Sequence, residues 1–458
     1  MDWLSIAPPL VAIAVAISTR NVYWALGLAI LLSETLIAQF NPGLGLLASI
    51  DRIVGVFGST GNTRILLFCL IIGALIAYMQ RSGGILATVA WLHHHNLAAT
   101  PRRAGFITAL AGVLLFIETN VSLLASGILG RPLFDQLRLS RERLAFIIDS
   151  TCAPVSVLIL FNGWGAYIAG LLASNGVDDA FAVLFQTVAL NFYPVLIVLA
   201  VFATVFTDRT FGALARVEAS GRSAKQVPEQ APASGAQEDT PSRAIYMGIP
   251  VALLVLGALA FMVWTGNGDI TQGSGSQAIL WAVVLATIAA ALFFWHSGRA
   301  NADVVTVGFK GMADLLPAVT VILLALALGD SLRVLGTGAF ITSAAATLQA
   351  PFLIPALLFV IAGVTSFTTG TSWGTYGILI PIAIPLAMGA DLPVALVVAA
   401  VMGGGVFGDH CSPISDTTII ASLAAGVDHV DHVATQLPYA LAIGAVSTLL
   451  YTAAGLLS

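Results

Sequence analysis

The sequence predicts an all-α polytopic membrane protein with about 10 to 12 transmembrane helices, on its composition, its apolar segments and an internal repeat. Of its 458 residues, 58% are hydrophobic and only 9% carry a formal charge. Soluble domains carry about 25% charged residues, so this chain lacks the side chains that would cover a soluble surface. Its 18 Lys and Arg residues are scattered, which excludes a basic face for nucleic acid. Its hydrophobicity excludes a disordered chain.

Apolar segments of membrane-spanning length recur along the whole chain. A transmembrane helix needs about 20 mostly apolar residues to cross about 30 Å of hydrocarbon. The segments that meet or approach this length are 4–18, 22–40, 64–80, 104–118, 144–172, 180–206, 244–264, 277–295, 315–329, 351–364, 374–406 and 434–457. Some are too long for one span and others too short, so we expect several broken helices. The first follows residues without the positive charge of a secretory signal, so we interpret it as a membrane segment.

A polar segment, 208–243, divides the chain near its midpoint. It holds ten of the 41 charged residues and three prolines, a composition typical of a flexible solvated linker. Five of its charges are Lys or Arg, which predicts a cytoplasmic location by the positive-inside rule. We therefore expect two transmembrane halves, 1–207 and 244–458, joined by this linker.

The two halves share sequence motifs in the same order. Residues 119–129 align without gaps on 369–379, with five of eleven positions identical. Downstream, Cys-Ala-Pro-Val-Ser at 152–156 matches Cys-Ser-Pro-Ile-Ser at 411–415, each shortly after an aspartate. The repeat motifs lie within 116–156 and 365–418, and internal repeats in polytopic proteins are typical of secondary transporters. The spacing alone leaves parallel and inverted repeats equally open.

The repeated segments are rich in Ser, Thr, Asn, Gly and Pro inside otherwise apolar sequence. Residues 365–372 carry six hydroxyl side chains. Residues 403–418 include a glycine run and Pro413, so we expect a helix break there. Irregular backbone at membrane depth is tolerated where it is buried in protein or lines a cavity. Its free carbonyl and hydroxyl oxygens would suit a small hard cation such as Na⁺.

Ionisable residues in these segments are candidate functional groups, because charges within a membrane are costly. They are Glu118, Asp149, Asp409, His410 and Asp416. Burial disfavours a charged carboxylate and an adjacent cation favours it, so one carboxylate would hold either a proton or Na⁺. That competition couples the two ions in opposite directions. The alternative is that these acids cap half-helices or pair with buried donors.

Together these segments define one predicted central site. The candidate cation- or substrate-binding residues are Thr119, Asn120, Ser122, Asp149, Thr369, Ser372, Asp409, Ser412 and Asp416. The candidate proton-coupling residues are Glu118, Asp149, Asp409 and His410. Within the set, we expect Na⁺ at Asp409, Ser412 and Asp416. No cofactor is expected.

Other polar features are interpreted structurally. Glu34 is expected at a membrane interface, and Asp330 and Arg333 are expected to pair across one helical turn. The Asp-His-Val-Asp-His segment at 428–432 is interpreted as a polar loop between helices, although its residue types also suit ligands. The three cysteines, Cys69, Cys152 and Cys411, are expected as free buried thiols.

The enzyme motifs considered give no support for an enzyme. Gly-x-Ser-x-Gly occurs at 370–374, but a serine hydrolase requires it in a strand–turn–helix setting with triad partners. The zinc-protease pattern His-Glu-x-x-His is absent from the sequence. We therefore expect a transporter rather than an enzyme.

The C-terminal motifs resemble the signature of the NhaC family of Na⁺/H⁺ antiporters. The resemblance rests on 408–419, 428–432 and 435–440, with further similarity at 369–375 and 149–156. It extends from about residue 60 to the end of the chain. The resemblance implies a multi-pass secondary transporter of the bacterial inner membrane, exchanging Na⁺ for H⁺. It also implies two inverted repeats with re-entrant hairpins and elevator-type movement.

The resemblance leaves the cargo open, because the family also contains exchangers of organic acids such as malate and lactate. The alternative is therefore Na⁺- or H⁺-coupled transport of a small organic acid or amino acid. A basic residue at the site would favour it, and neither Cys-x-Pro segment nor any position after Arg333 contains Lys or Arg. The expected partners are the lipid bilayer, Na⁺ and H⁺, with a homodimer as a candidate assembly and no nucleic acid.

Overall fold

Apolar helices dominate the computed structural model, which describes residues 2–85, 87–88, 100–116, 119–219, 243–268, 273–297, 304–347 and 349–458. The helices of the first half are α1 Ala7–Thr19, α2 Val22–Ile37, α3 Pro42–Gly55, α4 Thr60–Arg81, α5 Pro101–Leu114, α6 Thr119–Gln136, α7 Arg141–Leu158, α8 Gly163–Ser174, α9 Ala180–Leu190, α10 Phe192–Thr207 and α11 Gly212–Ala219. Those of the second half are α12 Ile245–Thr265, α13 Gly275–His296, α14 Val304–Leu335, α15 Thr337–Ala345, α16 Ile354–Thr369, α17 Ser372–Gly389, α18 Val394–Cys411, α19 Asp416–Ala425 and α20 His429–Leu457. The described residues contain no β-strand.

The helices are long and apolar enough for a polytopic membrane protein. Among the described residues, nine helices meet the length and hydropathy of a membrane span. Two further pairs, α2 with α3 and α7 with α8, meet them together across a bend of 119° and 40°, which raises the number to as many as eleven. The predicted all-α polytopic fold with broken helices is confirmed.

Polar residues cap the N-terminal ends of α2 and α8 and so determine where these helices begin. Asn21 caps α2 by accepting from the Trp24 amide, and Asn162 caps α8 by accepting from the amides of Trp164 and Gly165. Such caps satisfy amide groups that the helix itself leaves free. At the other end of a helix, Gly370 stops α16 in the left-handed region at φ 68°, where a side chain would be strained.

Helix breaks lie close to the repeat motifs in both halves, although not at aligned positions. In the first half α5 ends at Leu114 and α6 begins at Thr119, and in the second half 370–371 separate α16 from α17. Downstream, 159–162 separate α7 from α8, and 412–415 separate α18 from α19. The second-half break contains Pro413 as predicted, whereas Pro154 stays inside α7 and the chain becomes extended only at Ile159. A proline removes one backbone hydrogen bond, but most residues of α7 are buried in protein, where such a loss is tolerated at membrane depth.

The glycine run at 403–405 lies within α18, and the break expected in 403–418 occurs only at 412–415. Gly404 of this run and Gly408 let α18 pack closely on α16. A Cβ atom on Gly404 would lie 2.2 Å from the Phe359 carbonyl oxygen, and one on Gly408 would lie 2.0 Å from the Gly363 carbonyl oxygen. The packing of small residues brings two membrane helices into contact, as is common in bilayers.

The predicted linker begins as a packed helix rather than as a flexible loop. Helix α11 buries Leu214, and the Phe211 amide donates to the Tyr439 hydroxyl at 2.8 Å. Arg143 pairs with Asp208 at 2.8 Å and also lies 3.4 Å from Glu218 of α11. Apolar burial and these ion pairs stabilise residues 208–219. The remaining linker residues, 220–242, lie outside the described residues, so the division into two halves stays a prediction.

Three structural interpretations from the sequence have clear outcomes. Asp330 and Arg333 pair at 3.0 Å, as expected. Glu34 is not interfacial: it is 2% exposed and accepts from Arg52 Nε and Ser331 Oγ, both at 2.7 Å. The buried pair ties the bent α2–α3 segment to α14. Cys69, Cys152 and Cys411 are free and buried, as predicted.

Candidate functional site

A cavity of about 380 Å³ lies between two walls of different character. One wall is formed by α2, α4 and α14 with the residues just before α2, and is largely apolar. The other wall is formed by the polar starts, ends and breaks of helices from both repeat segments. Its residues include Thr119, Asn120, Thr369, Asp409, Asp416 and Thr417. The cavity therefore unites five of the nine residues predicted for the binding site.

Asp409 near the C-terminal end of α18 is the most strongly held acid on this wall. It is 5% exposed, and its carboxylate accepts from Ser372 Oγ at 2.9 Å and from Ser415 Oγ at 2.7 Å. Ser372 begins α17, and Ser415 lies in the break before α19. The helix breaks of the second half thus converge on one carboxylate.

Further oxygen atoms face the same cavity. Asp416, the first residue of α19, lines it together with Asn120 from the start of α6. The Asn120 Oδ1 atom is buried and has no hydrogen-bond partner among the described residues, which is costly for an acceptor. Carboxylate, amide and hydroxyl oxygens are hard ligands. We call Asp409, Asp416, Ser372, Ser415 and Asn120 the cation cluster.

Two of the predicted residues point elsewhere. Ser412 Oγ donates to the Phe367 carbonyl oxygen at 2.7 Å, and Ser122 Oγ donates to the Gly112 carbonyl oxygen at 3.0 Å. Both hydroxyls satisfy backbone carbonyls freed near helix breaks. Ser415, which the sequence-based set omitted, takes the place expected of Ser412 beside Asp409.

Asp149 does not line the cavity but lies in a second polar group, contrary to the single predicted site. It is fully buried, and its Oδ2 atom accepts from Gln436 Nε2 at 2.7 Å and lies 3.4 Å from His432 Nε2. His410 Nε2 lies 4.0 Å from the same oxygen. We call Asp149, His410, His432 and Gln436 the histidine cluster. Helices α7, α18 and α20 contact one another, and none of these four side chains lines the cavity.

His432 and Gln436 are the functional candidates that the sequence reading missed. Segment 428–432 was interpreted as a polar loop, but α20 begins at His429 and His432 is fully buried within it. The two residues are four apart, so they share one face of a helix. A polar pair at that spacing in an apolar helix is the signal that would have found them. Glu118, another predicted proton-coupling residue, lies outside the described residues.

The cavity also contains features that suit an organic molecule. Arg20, just before α2, lines it and is exposed. On the opposite wall the rings of Trp164 and Trp373 stack with centroids 3.8 Å apart. The expectation that no cationic side chain lies near the site is therefore wrong, because Arg20 is distant in sequence and is brought there by the fold.

The fold is similar to that of a solved transporter. The crystal structure of the Alcanivorax borkumensis YdaH transporter superposes with a TM-score of 0.55 and 17% sequence identity. The similarity covers 89% of this chain and 88% of that one. It extends over almost the whole chain and concerns the fold alone.

Sequence relatives support antiport as the general activity. An uncharacterized Haemophilus influenzae protein is 28% identical over 98% of this chain and 90% of its own length. An uncharacterized Na⁺/H⁺ antiporter of the same organism is 31% identical over 38% of this chain and 37% of its own. The Bacillus subtilis malate-2H⁺/Na⁺-lactate antiporter is 36% identical over 23% of this chain and 22% of its own.

The part of the chain that matches a family model includes the second repeat and most of the residues that line the cavity. A family model described as the Na⁺/H⁺ antiporter family matches residues 155–456. That range contains Asp409, Asp416, His410 and His432, together with almost all of the second half. The chain belongs to the Na⁺/H⁺ antiporter family, and it is a secondary membrane transporter rather than an enzyme.

Proposed function

We propose that the protein exchanges Na⁺ for H⁺ across the bacterial inner membrane, with the cation held by Asp409 and Asp416. The observation that carries this proposal is that both carboxylates line one cavity at helix breaks, with hydroxyl groups of Ser372 and Ser415 on Asp409. Na⁺ prefers oxygen ligands, and the cation cluster supplies carboxylate, amide and hydroxyl oxygens. Asn120 Oδ1, without a partner among the described residues, is a further ligand.

Two carboxylates in a low-dielectric site repel each other unless a positive charge lies between them. A bound Na⁺ removes that repulsion, and so does a proton on either carboxylate. The two ions therefore compete for the same negative charge. As the pH falls, more of the site is protonated, so the apparent affinity for Na⁺ should weaken.

The two walls of the cavity suggest how the site reaches both sides of the membrane. The cation cluster belongs to the wall of helix breaks, whereas the opposite wall of α2, α4 and α14 contributes mainly apolar side chains. We propose that the first wall moves along the second in an elevator-type transition. The proposed inverted repeats would place equivalent helix breaks of both halves on this moving wall.

The decisive experiment uses purified protein in proteoliposomes that contain a pH-sensitive dye. Addition of Na⁺ alone should change the lumenal pH, with half-saturation moving to higher Na⁺ at lower pH. Asp409→Asn keeps the size of the side chain but removes the charge, so this response should be lost. The matched control is Asp391→Asn, an exposed residue between α17 and α18.

Two results would overturn the assignment. Asp409→Asn exchanging Na⁺ at the wild-type rate with unchanged pH dependence would make Asp409 a structural cap. A wild-type response that appears only with an added carboxylic or amino acid would refute simple Na⁺/H⁺ exchange.

The second candidate function is Na⁺- or H⁺-coupled exchange of a small organic acid or amino acid. It is favoured by Arg20 and the stacked Trp164 and Trp373 in the cavity. A volume of about 380 Å³ is within the range of small-molecule sites, far larger than one Na⁺ requires. The malate-2H⁺/Na⁺-lactate antiporter among the relatives also supports it.

A further inference from the structure

The histidine cluster is enclosed and incompletely hydrogen-bonded. Asp149, His432 and Gln436 are all fully buried. Asp149 Oδ1, His432 Nδ1 and Gln436 Oε1 have no hydrogen-bond partner among the described residues. A buried polar atom without a partner costs free energy, and three of them in one cluster indicate a site whose proton content changes.

The arrangement singles out two residues as proton acceptors. The ring nitrogens of His410 are both engaged, Nε2 with Ser150 Oγ at 3.0 Å and Nδ1 with the Tyr193 hydroxyl at 2.8 Å. His432 instead faces Asp149 Oδ2 at 3.4 Å with Nε2 and has no partner for Nδ1. Gln436 donates to Asp149 Oδ2 at 2.7 Å and fixes the orientation of the carboxylate.

Among the described residues, the groups that interact with Asp149 include no permanent positive charge. The titratable groups around it, on α7, α10, α18, α19 and α20, are Cys152, Tyr193, Asp409, His410, Cys411, Asp416 and His432. With neutral histidines, the cluster has one unbalanced negative charge. One added proton, on His432 or on the Asp149 carboxylate, brings its net charge to zero.

We propose that Asp149 and His432 form a proton-binding site that is separate from the cation cluster and opposes it electrostatically. This proposal rests on the proposed Na⁺/H⁺ exchange, but it moves the transported proton from the cation ligands to a second site. Antiport then requires no ligand to bind both ions.

The cation cluster and the histidine cluster are linked through neighbouring residues of α18 and through Gln436. His410 follows Asp409 in α18, and Gln436 donates both to Asp149 and to the His410 carbonyl oxygen. A proton on the histidine cluster and Na⁺ in the cation cluster are like charges in one low-dielectric region, so each weakens the other's binding. By linkage the effect is reciprocal: Na⁺ binding should expel the proton.

The test measures how Na⁺ raises the thermal stability of the purified full-length protein at several pH values, because a ligand of the folded state stabilises it. In the wild type, the Na⁺ concentration for half the effect should rise as the pH falls, by up to about tenfold per pH unit for one displaced proton. His432→Gln and Asp149→Asn should still be stabilised by Na⁺, with most of that pH dependence lost. The control His296→Gln replaces an exposed histidine of α13 and should retain the wild-type pH dependence.

The outcomes separate this proposal from the proposed function. A folded His432→Gln or Asp149→Asn protein with the wild-type pH dependence overturns the proton site but leaves Na⁺/H⁺ exchange intact. Loss of Na⁺ stabilisation in both folded variants overturns the separation of the two sites. If Na⁺ fails to stabilise the wild-type protein at every pH tested, the proposed function itself is refuted. Asp149→Asn is nearly isosteric, so it decides the question if His432→Gln fails to fold.

Discussion

Replacement of Gly408 by alanine should disturb both the stability of the protein and its cation site. The added Cβ would lie 2.0 Å from the Gly363 carbonyl oxygen and 2.7 Å from the Phe367 amide nitrogen. Real Cβ contacts below 3.0 Å essentially do not occur, so α18 must move away from α16 by about 1 Å. Overpacking of this kind costs about 1–3 kcal/mol.

The displacement acts one residue from Asp409. Its 2.9 Å hydrogen bond to Ser372 would lengthen beyond the usual range for hydroxyl donors, about 2.5–3.0 Å. Loss of a hydrogen bond to a charged group costs about 1.5–3 kcal/mol. We expect the displaced carboxylate to lose a comparable amount of its interaction with Na⁺, so the Na⁺ half-saturation should rise by roughly tenfold or more, because 1.4 kcal/mol corresponds to about a factor of ten.

Thermal unfolding in detergent and the proteoliposome assay measure the two effects. The matched control is Gly248→Ala in α12, where a Cβ would meet nothing within 4 Å. It should be neutral or slightly stabilising, since alanine favours a helix over glycine by roughly 0.5–1 kcal/mol. If Gly408→Ala were as stable as Gly248→Ala and kept the wild-type Na⁺ dependence, the close α16–α18 contact would not be what positions Asp409.

The remaining predictions concern the cargo and the orientation. Arg20→Gln removes a positive charge from the cavity, so the Na⁺ concentration for half-saturation in proteoliposomes should fall by a small factor. A rise in that concentration would contradict cation binding in this cavity. If transport requires an added carboxylic acid, Arg20→Gln should lose most of the transport that the acid supports. Unchanged transport with the acid would exclude Arg20 as the residue that binds its carboxylate. Ser234→Cys should react with an impermeant thiol reagent only after the cytoplasmic side is opened, against a low background because the three native cysteines are buried. Labelling of intact cells would reverse the predicted orientation.

The helix breaks show what local sequence can predict. Pro413 and the serines beside it, Ser412 and Ser415, mark the break between α18 and α19, because the missing amide and competing side-chain hydrogen bonds act within a few residues. Pro154 carries the same signal in the first half, yet it stays inside α7. Tertiary packing around a buried helix decides whether a proline breaks it.

Part of the candidate site could also be predicted from the sequence. Asp409, Asp416 and Asn120 were identified as polar groups at membrane depth, and all three line the cavity. Arg20 was not predicted at the cavity, nor His432 beside Asp149, since both lie outside the repeat motifs. The inverted relation of the repeats stays a prediction.

The sequence by itself determined the membrane environment, the helical class, the matched repeat motifs and the family, because composition, hydropathy and short motifs are local properties of the chain. Only the tertiary structure decided which polar groups meet. It placed Ser415 rather than Ser412 on Asp409, and it moved Asp149 from the cavity to His432. The reason is geometric: helices far apart in sequence pack at angles set by all of their side chains, so a contact across 283 positions is encoded nowhere locally.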